Sequence, residues 1–217
     1  MAGIVAPKIS SFTLAGLEDG DTEALVPGET YDRLRFAGPT VRGRDLGGIT
    51  FSECELAEWE IRDTTFADVA LLETRMTGLF ATGFKAPRST LRQVEITDAR
   101  IGAVELMDAK LRSVVFTDVR LGFVNLRGAG LTDVVFRDCV LEGVDVGDAG
   151  LTRVSFEGCR AGELDLTRAT LSNVDLRGLQ VERIRGVEGI AGATMSHTQV
   201  VGLAESFAAH LGIQILG

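Results

Sequence analysis

The sequence predicts an all-β solenoid, a four-sided β-helix closed at its C-terminal end by an α-helical cap. Three observations support this fold class: apolar residues recur at every fifth position, like residues recur at every twentieth, and a helical pattern follows the last repeat. A period of five fits neither a flat strand nor an α-helix. The chain must therefore turn a corner in each unit and direct its apolar side chains inward.

The five-residue period runs from Phe36 to Val181 without an insertion, and all thirty positions in it are apolar. A second apolar residue, usually a small one, lies two positions before each of these, as Val94, Ala99 and Val104 do. Gly, Asp, Glu, Arg, Thr and Ser occupy most of the positions between them. We therefore expect two inward side chains per unit and a polar exterior.

Like residues at a spacing of twenty indicate how many units complete one coil. Phe116, Phe136 and Phe156 form one such series, and valines recur in the same way at 94, 114, 134, 154 and 174. Four units therefore close a coil, and equivalent side chains stack at about the 4.8 Å spacing of neighbouring strands. A leucine-rich repeat is the main alternative. Its unit contains an outer helix, and the five-residue period leaves no polar stretch for one.

Several units resemble the A(D/N)LXX consensus of pentapeptide-repeat proteins, namely residues 129–133, 164–168 and 174–178. The resemblance covers about residues 34–183 and implies a right-handed, four-sided β-helix. Some members of that family bind type II topoisomerases such as DNA gyrase by imitating DNA, and confer quinolone or toxin resistance. Those members are often dimers joined through C-terminal helices. This chain has no inserted loop, so it resembles the loopless members.

We expect three regions. Residues 1–33 lack the five-residue period and are predicted to cap the first coil, residues 34–185 form the β-helix, and residues 186–217 form a C-terminal cap. Residues 196–199 predict a helix capping box. Apolar residues then follow at helical spacing: Val200, Leu203, Phe207 and Leu211. This helix either covers the last coil, whose strand groups would otherwise be unpaired, or forms a homodimer contact.

Composition restricts the partners. The net charge of −9 disfavours direct binding of nucleic acid or anionic lipid. No apolar run approaches the roughly 18 residues of a membrane span, and residues 1–8 lack a secretory signal pattern, so we expect a cytoplasmic protein. Motifs for catalysis, metal binding or cofactor binding are absent from the sequence, and we expect neither an enzyme nor a cofactor.

The cysteines are Cys54, Cys139 and Cys159, an odd and sparse set that does not form a disulfide framework. Cys139 and Cys159 are twenty residues apart and should stack in neighbouring coils. We favour buried thiols that act as small hydrophobic side chains, with a disulfide as the alternative.

One side of the predicted shaft is acidic. We name it the Phe116 face, after one of its inward residues. Its outward positions hold four arginines against eight acids, a net charge of −4, and the acids are Glu55, Glu58, Glu95, Asp98, Asp118, Asp138, Glu157 and Asp175. This side is the candidate partner-binding surface. Its carboxylates would repeat about every 4.8 Å, against a phosphate at about 3.4 Å of axis along a DNA strand. The alternative is a solvated face that keeps an apolar shaft soluble.

Val115, Phe123 and Val135 are outward apolar residues on or beside this face and are candidate partner contacts. The predicted function is a non-enzymatic interaction solenoid, a DNA mimic that binds DNA gyrase and modulates it or protects it from quinolones. The alternative is a scaffold with an unrelated protein partner. We predict that Phe136→Asp collapses the shaft and that Asp133→Ser, a surface change, is nearly silent.

Overall fold

The structure, a computed structural model, describes residues 3–215. It is an all-β parallel solenoid of about nine turns with two short helices at its C-terminal end, which confirms the predicted β-helix. The strands in chain order are β1 Glu18–Asp19, β2 Thr30–Asp32, β3 Leu34–Ala37, β4 Thr40–Arg42, β5 Thr50–Ser52, β6 Glu55–Ala57, β7 Glu60–Arg62, β8 Ala70–Thr77, β9 Phe80–Lys85, β10 Thr90–Thr97, β11 Arg100–Glu105, β12 Lys110–Thr117, β13 Arg120–Asn125, β14 Gly130–Arg137, β15 Val140–Asp145, β16 Gly150–Glu157, β17 Cys159–Asp165, β18 Thr170–Asp175, β19 Leu179–Arg185 and β20 Ala193–Thr194. A 3₁₀ turn, Val187–Ile190, and helices α1 His197–Gly202 and α2 Ala204–His210 complete the chain.

Two parallel sheets and a column of turns make the four faces, which we name after the inward residues of one coil: Leu111, Phe116, Leu121 and Leu126. The twelve-stranded sheet forms the Leu111 and Phe116 faces, because strands such as β12 bend at the corner between them. The eight-stranded sheet, from β4 to β19, forms the Leu121 face. The Leu126 face consists of turns, in which the Ala129 amide donates to the Leu126 carbonyl at 3.0 Å.

Neighbouring coils pair in parallel with a register of twenty residues, as in Leu111↔Leu131 and Phe116↔Phe136. The phenylalanine column predicted from the sequence is present. The rings of Phe116, Phe136 and Phe156 stack with centroids 4.7 Å and 4.9 Å apart and planes within 7°. Identical side chains at equivalent positions of successive coils therefore pack as a continuous column.

The first coils pack differently. Tyr31, Phe36, Phe51 and Trp59 form an aromatic cluster with centroids 5.7–6.0 Å apart, and most of its pairs meet edge to face. Trp59 takes an inward position that elsewhere holds a small residue, and its indole N–H donates to the Phe36 carbonyl at 3.2 Å. This bond satisfies the polar atom of a large side chain that is otherwise fully buried.

Corner residues have a left-handed backbone in nearly every coil. Eighteen non-glycine residues have φ between 48° and 60°, and half of them are Asp or Asn. These two residues tolerate this conformation better than other L-residues because their short polar side chains bond locally. The corners therefore favour Asp for a reason that is independent of any partner.

The C-terminal cap contains the predicted capping box, with the Ser196 side chain and the Gln199 side chain each bonding the other residue's backbone amide. The Gln199 side-chain amide also donates to the Leu176 and Leu179 carbonyls, at 2.6 Å and 2.8 Å. The cap therefore satisfies two carbonyl groups at the end of the shaft. None of the helices in the described residues is long and apolar enough to cross a membrane.

The prediction of a single cap helix is wrong in one respect. The helical segment is divided into α1 and α2 at Leu203, where ψ is 7°. Among the predicted cap residues, Leu203 is buried and Phe207 is half-buried against the core, whereas Val200 and Leu211 are exposed. Residues 216 and 217 of the predicted cap lie outside the described residues.

The predicted N-terminal cap is wrong for residues 3–17, which have no regular secondary structure and which we name the N-terminal strap. Instead of covering the first coil, the strap runs along the shaft and reaches the coil of Asn173. Residues 18–33 form the first coil. Its strand β1 pairs with β3 of the second coil, so that Glu18 lies opposite Leu34. Residues 1 and 2 of the predicted cap lie outside the described residues.

Candidate protein-interaction surface

The acids of the Phe116 face belong to two groups with different surroundings. In the first group each acid forms an ion pair with one of the four arginines of the face. The pairs are Arg35–Glu55, Arg75–Glu95, Arg137–Glu157 and Arg177–Asp175. Three of these pairs join residues of neighbouring coils, twenty positions apart, at or below 2.9 Å. The four arginines are therefore fully engaged, and the acids that they contact have little net charge to offer a partner.

The second group is Glu58, Asp98, Asp118 and Asp138, which we name the corner ladder. All four are exposed, and none has an ion pair within residues 3–215. Each has a left-handed backbone with φ between 50° and 55°. The net charge of −4 predicted for the whole face is therefore located at this corner.

The corner ladder has a fixed geometry because each member belongs to the corner of a hydrogen-bonded coil. The Asp98 amide donates to the Thr117 carbonyl and the Asp118 amide donates to the Arg137 carbonyl, both at 3.1 Å. From Glu58 to Asp138 the ladder spans four coils, or about 19 Å at the usual strand spacing. Glycines at 78 and 158 occupy the same corner, so the ladder is interrupted once and then ends.

The other corner of the Phe116 face is covered by the N-terminal strap. Backbone amides of the strap donate to side chains at successive corners: Val5 to Asn173 at 3.0 Å, Lys8 to Asp133 at 2.8 Å, and Ser10 to Ser113 at 2.8 Å. Further along, the Phe12 ring lies 5.6 Å from the Arg75 guanidinium on the Phe116 face. The strap therefore crosses several coils at right angles to their strands.

Asp133 is the centre of this contact. Arg153 donates to both of its carboxylate oxygens, at 2.6 Å and 2.7 Å, while the Lys8 amide donates to one of them. These hydrogen bonds, first of all those from Arg153, hold the pKa of Asp133 below its usual value. Asp133 is only 6% exposed, so the prediction that it is a surface residue is wrong, and the expectation of a nearly silent Asp133→Ser loses its basis.

The strap also changes the candidate apolar contacts. Val135 is 5% exposed and is not available to a partner, so that prediction is wrong, and Val115 is half-buried. Both lie next to the corner that the strap occupies. Phe123 is exposed as predicted, at 52%, and it lies on the Leu121 face, next to the acidic side. The sequence contains no signal for the strap, because residues 3–17 share no period with the coils that they touch.

The interior of the shaft holds the cysteines. All three are free and buried, and the Cys139 amide donates to the Cys159 sulfur at 3.4 Å. The pKa of the Cys139 thiol is raised because it hydrogen-bonds Cys159 and is buried. Within residues 3–215, no group of three or more His, Cys, Asp or Glu side chains is arranged to hold a metal ion.

A rigid solenoid with an outward column of carboxylates defines this molecule as a repeat protein that presents a surface and not a cavity. A family model of pentapeptide repeats, in eight copies, matches residues 105–143 and 149–185. Over these residues the chain carries pentapeptide repeats of the kind that this family model describes.

Two solved structures are similar to the chain. HetL, a pentapeptide repeat protein involved in heterocyst differentiation regulation in the cyanobacterium Nostoc sp. strain PCC 7120, is 17% identical, with a TM-score of 0.27, over 76% of this chain and 90% of that chain. QnrB1, a plasmid-mediated fluoroquinolone resistance protein, is 16% identical, with a TM-score of 0.33, over 88% of this chain and 94% of that chain. No curated protein matches the chain.

Proposed function

We propose that this protein is a non-enzymatic interaction solenoid whose corner ladder imitates the phosphates of a DNA strand and binds DNA gyrase, a type II topoisomerase. The observation that carries the proposal is the division of the acids on the Phe116 face. Glu55, Glu95, Glu157 and Asp175 are neutralised by arginines, whereas the members of the corner ladder are exposed and have no ion pair in the described residues. Such a ladder presents negative charge in one narrow line.

The ladder suits a surface that binds DNA for two physical reasons. Its charges are held on a hydrogen-bonded shaft, so little side-chain or backbone entropy is lost when a partner binds. Its charges repeat at about 4.8 Å, which is close enough to the phosphate spacing of about 3.4 Å per strand for lysine and arginine side chains to adapt. The choice of gyrase follows from the pentapeptide-repeat family, some of whose members bind it, and we place this activity in the cytoplasm.

The test is gyrase supercoiling in the presence of the purified protein, with and without a quinolone. We expect inhibition of supercoiling, or protection from the quinolone, at about 10 µM protein. The effect should weaken as salt rises, since the contact is electrostatic. Asp98→Asn, Asp118→Asn and Asp138→Asn combined should abolish it, and Asn is the replacement that best tolerates the left-handed corner.

The control removes the same number of charges from another corner, where Asp68 and Asp148 form ion pairs with Arg88 and Arg168 and Asp108 has no ion pair in the described residues. Asp68, Asp108 and Asp148 are also exposed aspartates with φ near 57–60°, and they lie at a corner of the Leu126 face. Replacing all three by Asn should leave the gyrase effect intact. Equal loss of the effect in both triple variants would show that net charge matters and not the ladder. No effect of the unchanged protein on gyrase would remove this partner, and the alternative of a scaffold with an unrelated partner would then apply.

We further propose that the protein forms a homodimer through its C-terminal cap. Leu203 and Phe207 face the shaft, while Val200 and Leu211 are exposed together with Val201. This leaves apolar area on the outer side of the cap. Sedimentation should give the mass of two chains, and Leu211→Ser should give the mass of one. A monomer at about 100 µM of the unchanged protein would contradict the proposal.

A further inference from the structure

The Leu121 face carries an open groove with a volume of about 430 Å³. Two glycines of successive coils, Gly102 and Gly122, form part of its floor. A Cβ atom at Gly122 would lie 2.1 Å from the Gly102 carbonyl oxygen, so a side chain does not fit there without a shift of the backbone. Thr82 and Glu142 occupy the same position in the flanking coils and bound the groove at its two ends.

Arginines without a carboxylate partner form one wall of the groove and continue beyond it. Arg100 and Arg120 are direct neighbours in the register of the sheet, and Arg160 follows two coils later. All three are exposed, and none has a carboxylate within 4.0 Å in the described part of the chain. Twelve of the nineteen arginines form ion pairs within the described residues, often with the coil above or below, so these three belong to the unpaired minority.

Large apolar side chains are exposed on the same face. Phe80 is 48% exposed and Val140 is 41% exposed, and both lie in the same column as the arginines. Phe123 is 52% exposed. Its ring edge lies 3.3 Å from the place that a Cβ atom would take if Gly143 had a side chain, so the ring leans onto the next coil. Among the regular coils only Met107 is a further large apolar residue with comparable exposure. The exposed apolar area of the shaft is therefore concentrated on the Leu121 face.

We propose that this groove binds an extended acidic segment of a partner protein, with carboxylates on the arginine column and apolar side chains against Phe80 and Phe123. A guanidinium binds a carboxylate through two parallel hydrogen bonds, and unengaged arginines offer this geometry without first breaking an ion pair. The glycine floor lets a peptide backbone approach closely. The glycine floor favours a peptide over a nucleic acid, whose sugars and bases are bulkier than a peptide backbone.

This surface is distinct from the corner ladder, and it binds the opposite charge. Its test is NMR of the ¹⁵N-labelled full chain with two blocked peptides, Glu-Phe-Glu-Glu-Phe-Glu and Gln-Phe-Gln-Gln-Phe-Gln, each at about 1 mM, where weak binding is measurable. We expect the glutamate peptide to shift amide signals of residues 100–105, 120–125 and 140–142. The glutamine peptide should bind about tenfold more weakly, because charged hydrogen bonds are replaced by neutral ones.

A pair of double variants locates the site. Arg100→Ser with Arg120→Ser should weaken binding of the glutamate peptide at least about tenfold. Arg92→Ser with Arg112→Ser removes two arginines of the Leu111 face that have no ion pair within residues 3–215, and it should leave binding unchanged. Absence of any shift at about 1 mM peptide, equal loss in both double variants, equal binding of the two peptides, or stronger binding of a single-stranded oligonucleotide to the same residues would each overturn the proposal.

Discussion

Asp133 and Asp118 lie at the two corners that bound the Phe116 face, and their backbones are alike, with φ of 59° and 54°. Asp133 is buried, accepts hydrogen bonds from Arg153 and from the Lys8 amide, and holds the N-terminal strap. Asp118 is exposed and has no ion pair in the described residues. The same residue type in the same local conformation therefore has a structural role at one corner and a free charge at the other. The difference comes from Arg153 in the next coil and from the Lys8 amide, which is more than one hundred residues away in sequence.

This comparison separates two causes of the acidic pattern. The left-handed corner explains why Asp occurs at both corners. It does not explain why the carboxylate of Asp133 is matched by arginine and backbone donors while those of the corner ladder are not. We assign the corner ladder to a partner, whereas Asp133 stabilises the chain itself.

The largest effect is expected from Phe136→Asp, which should unfold the shaft and with it both corners of the Phe116 face. Phe136 is buried between the rings of Phe116 and Phe156, so the new carboxylate would have no water and no partner. We expect loss of the folded state, or destabilisation of more than about 4 kcal/mol, measured by circular dichroism and denaturant unfolding. Phe123→Asp, at an exposed position, is the control. An unchanged melting temperature of Phe136→Asp would contradict the packing of the column.

Removal of residues 1–16 should have the next largest effect and should expose only one of the two corners. The deletion removes three backbone-to-side-chain hydrogen bonds and the cover of Val135, and we expect it to cost about 2–4 kcal/mol. The β-sheet circular dichroism should persist, and binding of a hydrophobic dye should increase. A deletion variant as stable as the full chain, without added dye binding, would show that the strap contributes nothing to the covered corner.

A matched pair of substitutions, Asp133→Asn and Asp118→Asn, tests the comparison most directly. Asn retains the corner conformation and removes only the charge. Asp133→Asn should lower the free energy of unfolding by about 1–2 kcal/mol, because Arg153 and the Lys8 amide lose a charged acceptor. Asp118→Asn should stay within about 0.5 kcal/mol. Equal melting temperatures of the two variants would show that the corners do not differ in stability.

The smallest effect is a pH dependence confined to acid conditions. Because the folded-state pKa of Asp133 is depressed, its contribution is complete above the unfolded pKa of about 3.9 and is lost as pH falls through the lower folded value. The Lys8 amide should therefore lose protection from hydrogen exchange below about pH 4. The Asp133→Asn variant should show no such loss. Equal pH profiles of Lys8 amide protection in the unchanged protein and in the Asp133→Asn variant would contradict the role of the charge.

Much of the shaft could be predicted because its packing is local and repeated. The inward positions, the twenty-residue register and the phenylalanine column all follow from residues that are alike at a fixed spacing, as Phe116, Phe136 and Phe156 are. The acidic face was predicted as a list of residues, and all of them are in the expected coils. Its division into paired and unpaired acids was not predicted, since an ion pair such as Arg75–Glu95 depends on side-chain reach across coils.

By itself, the sequence of this protein determined the solenoid, since a strict period of five leaves no other way to bury its apolar side chains. It also determined the corner aspartates and the capping box of the last coil, which depend on local backbone preferences. The tertiary structure alone decided the path of the N-terminal strap, and with it the burial of Val135 and Asp133. A segment without a period makes its contacts at long range, and only the assembled shaft brings Lys8 next to Asp133 and leaves the corner ladder open to solvent.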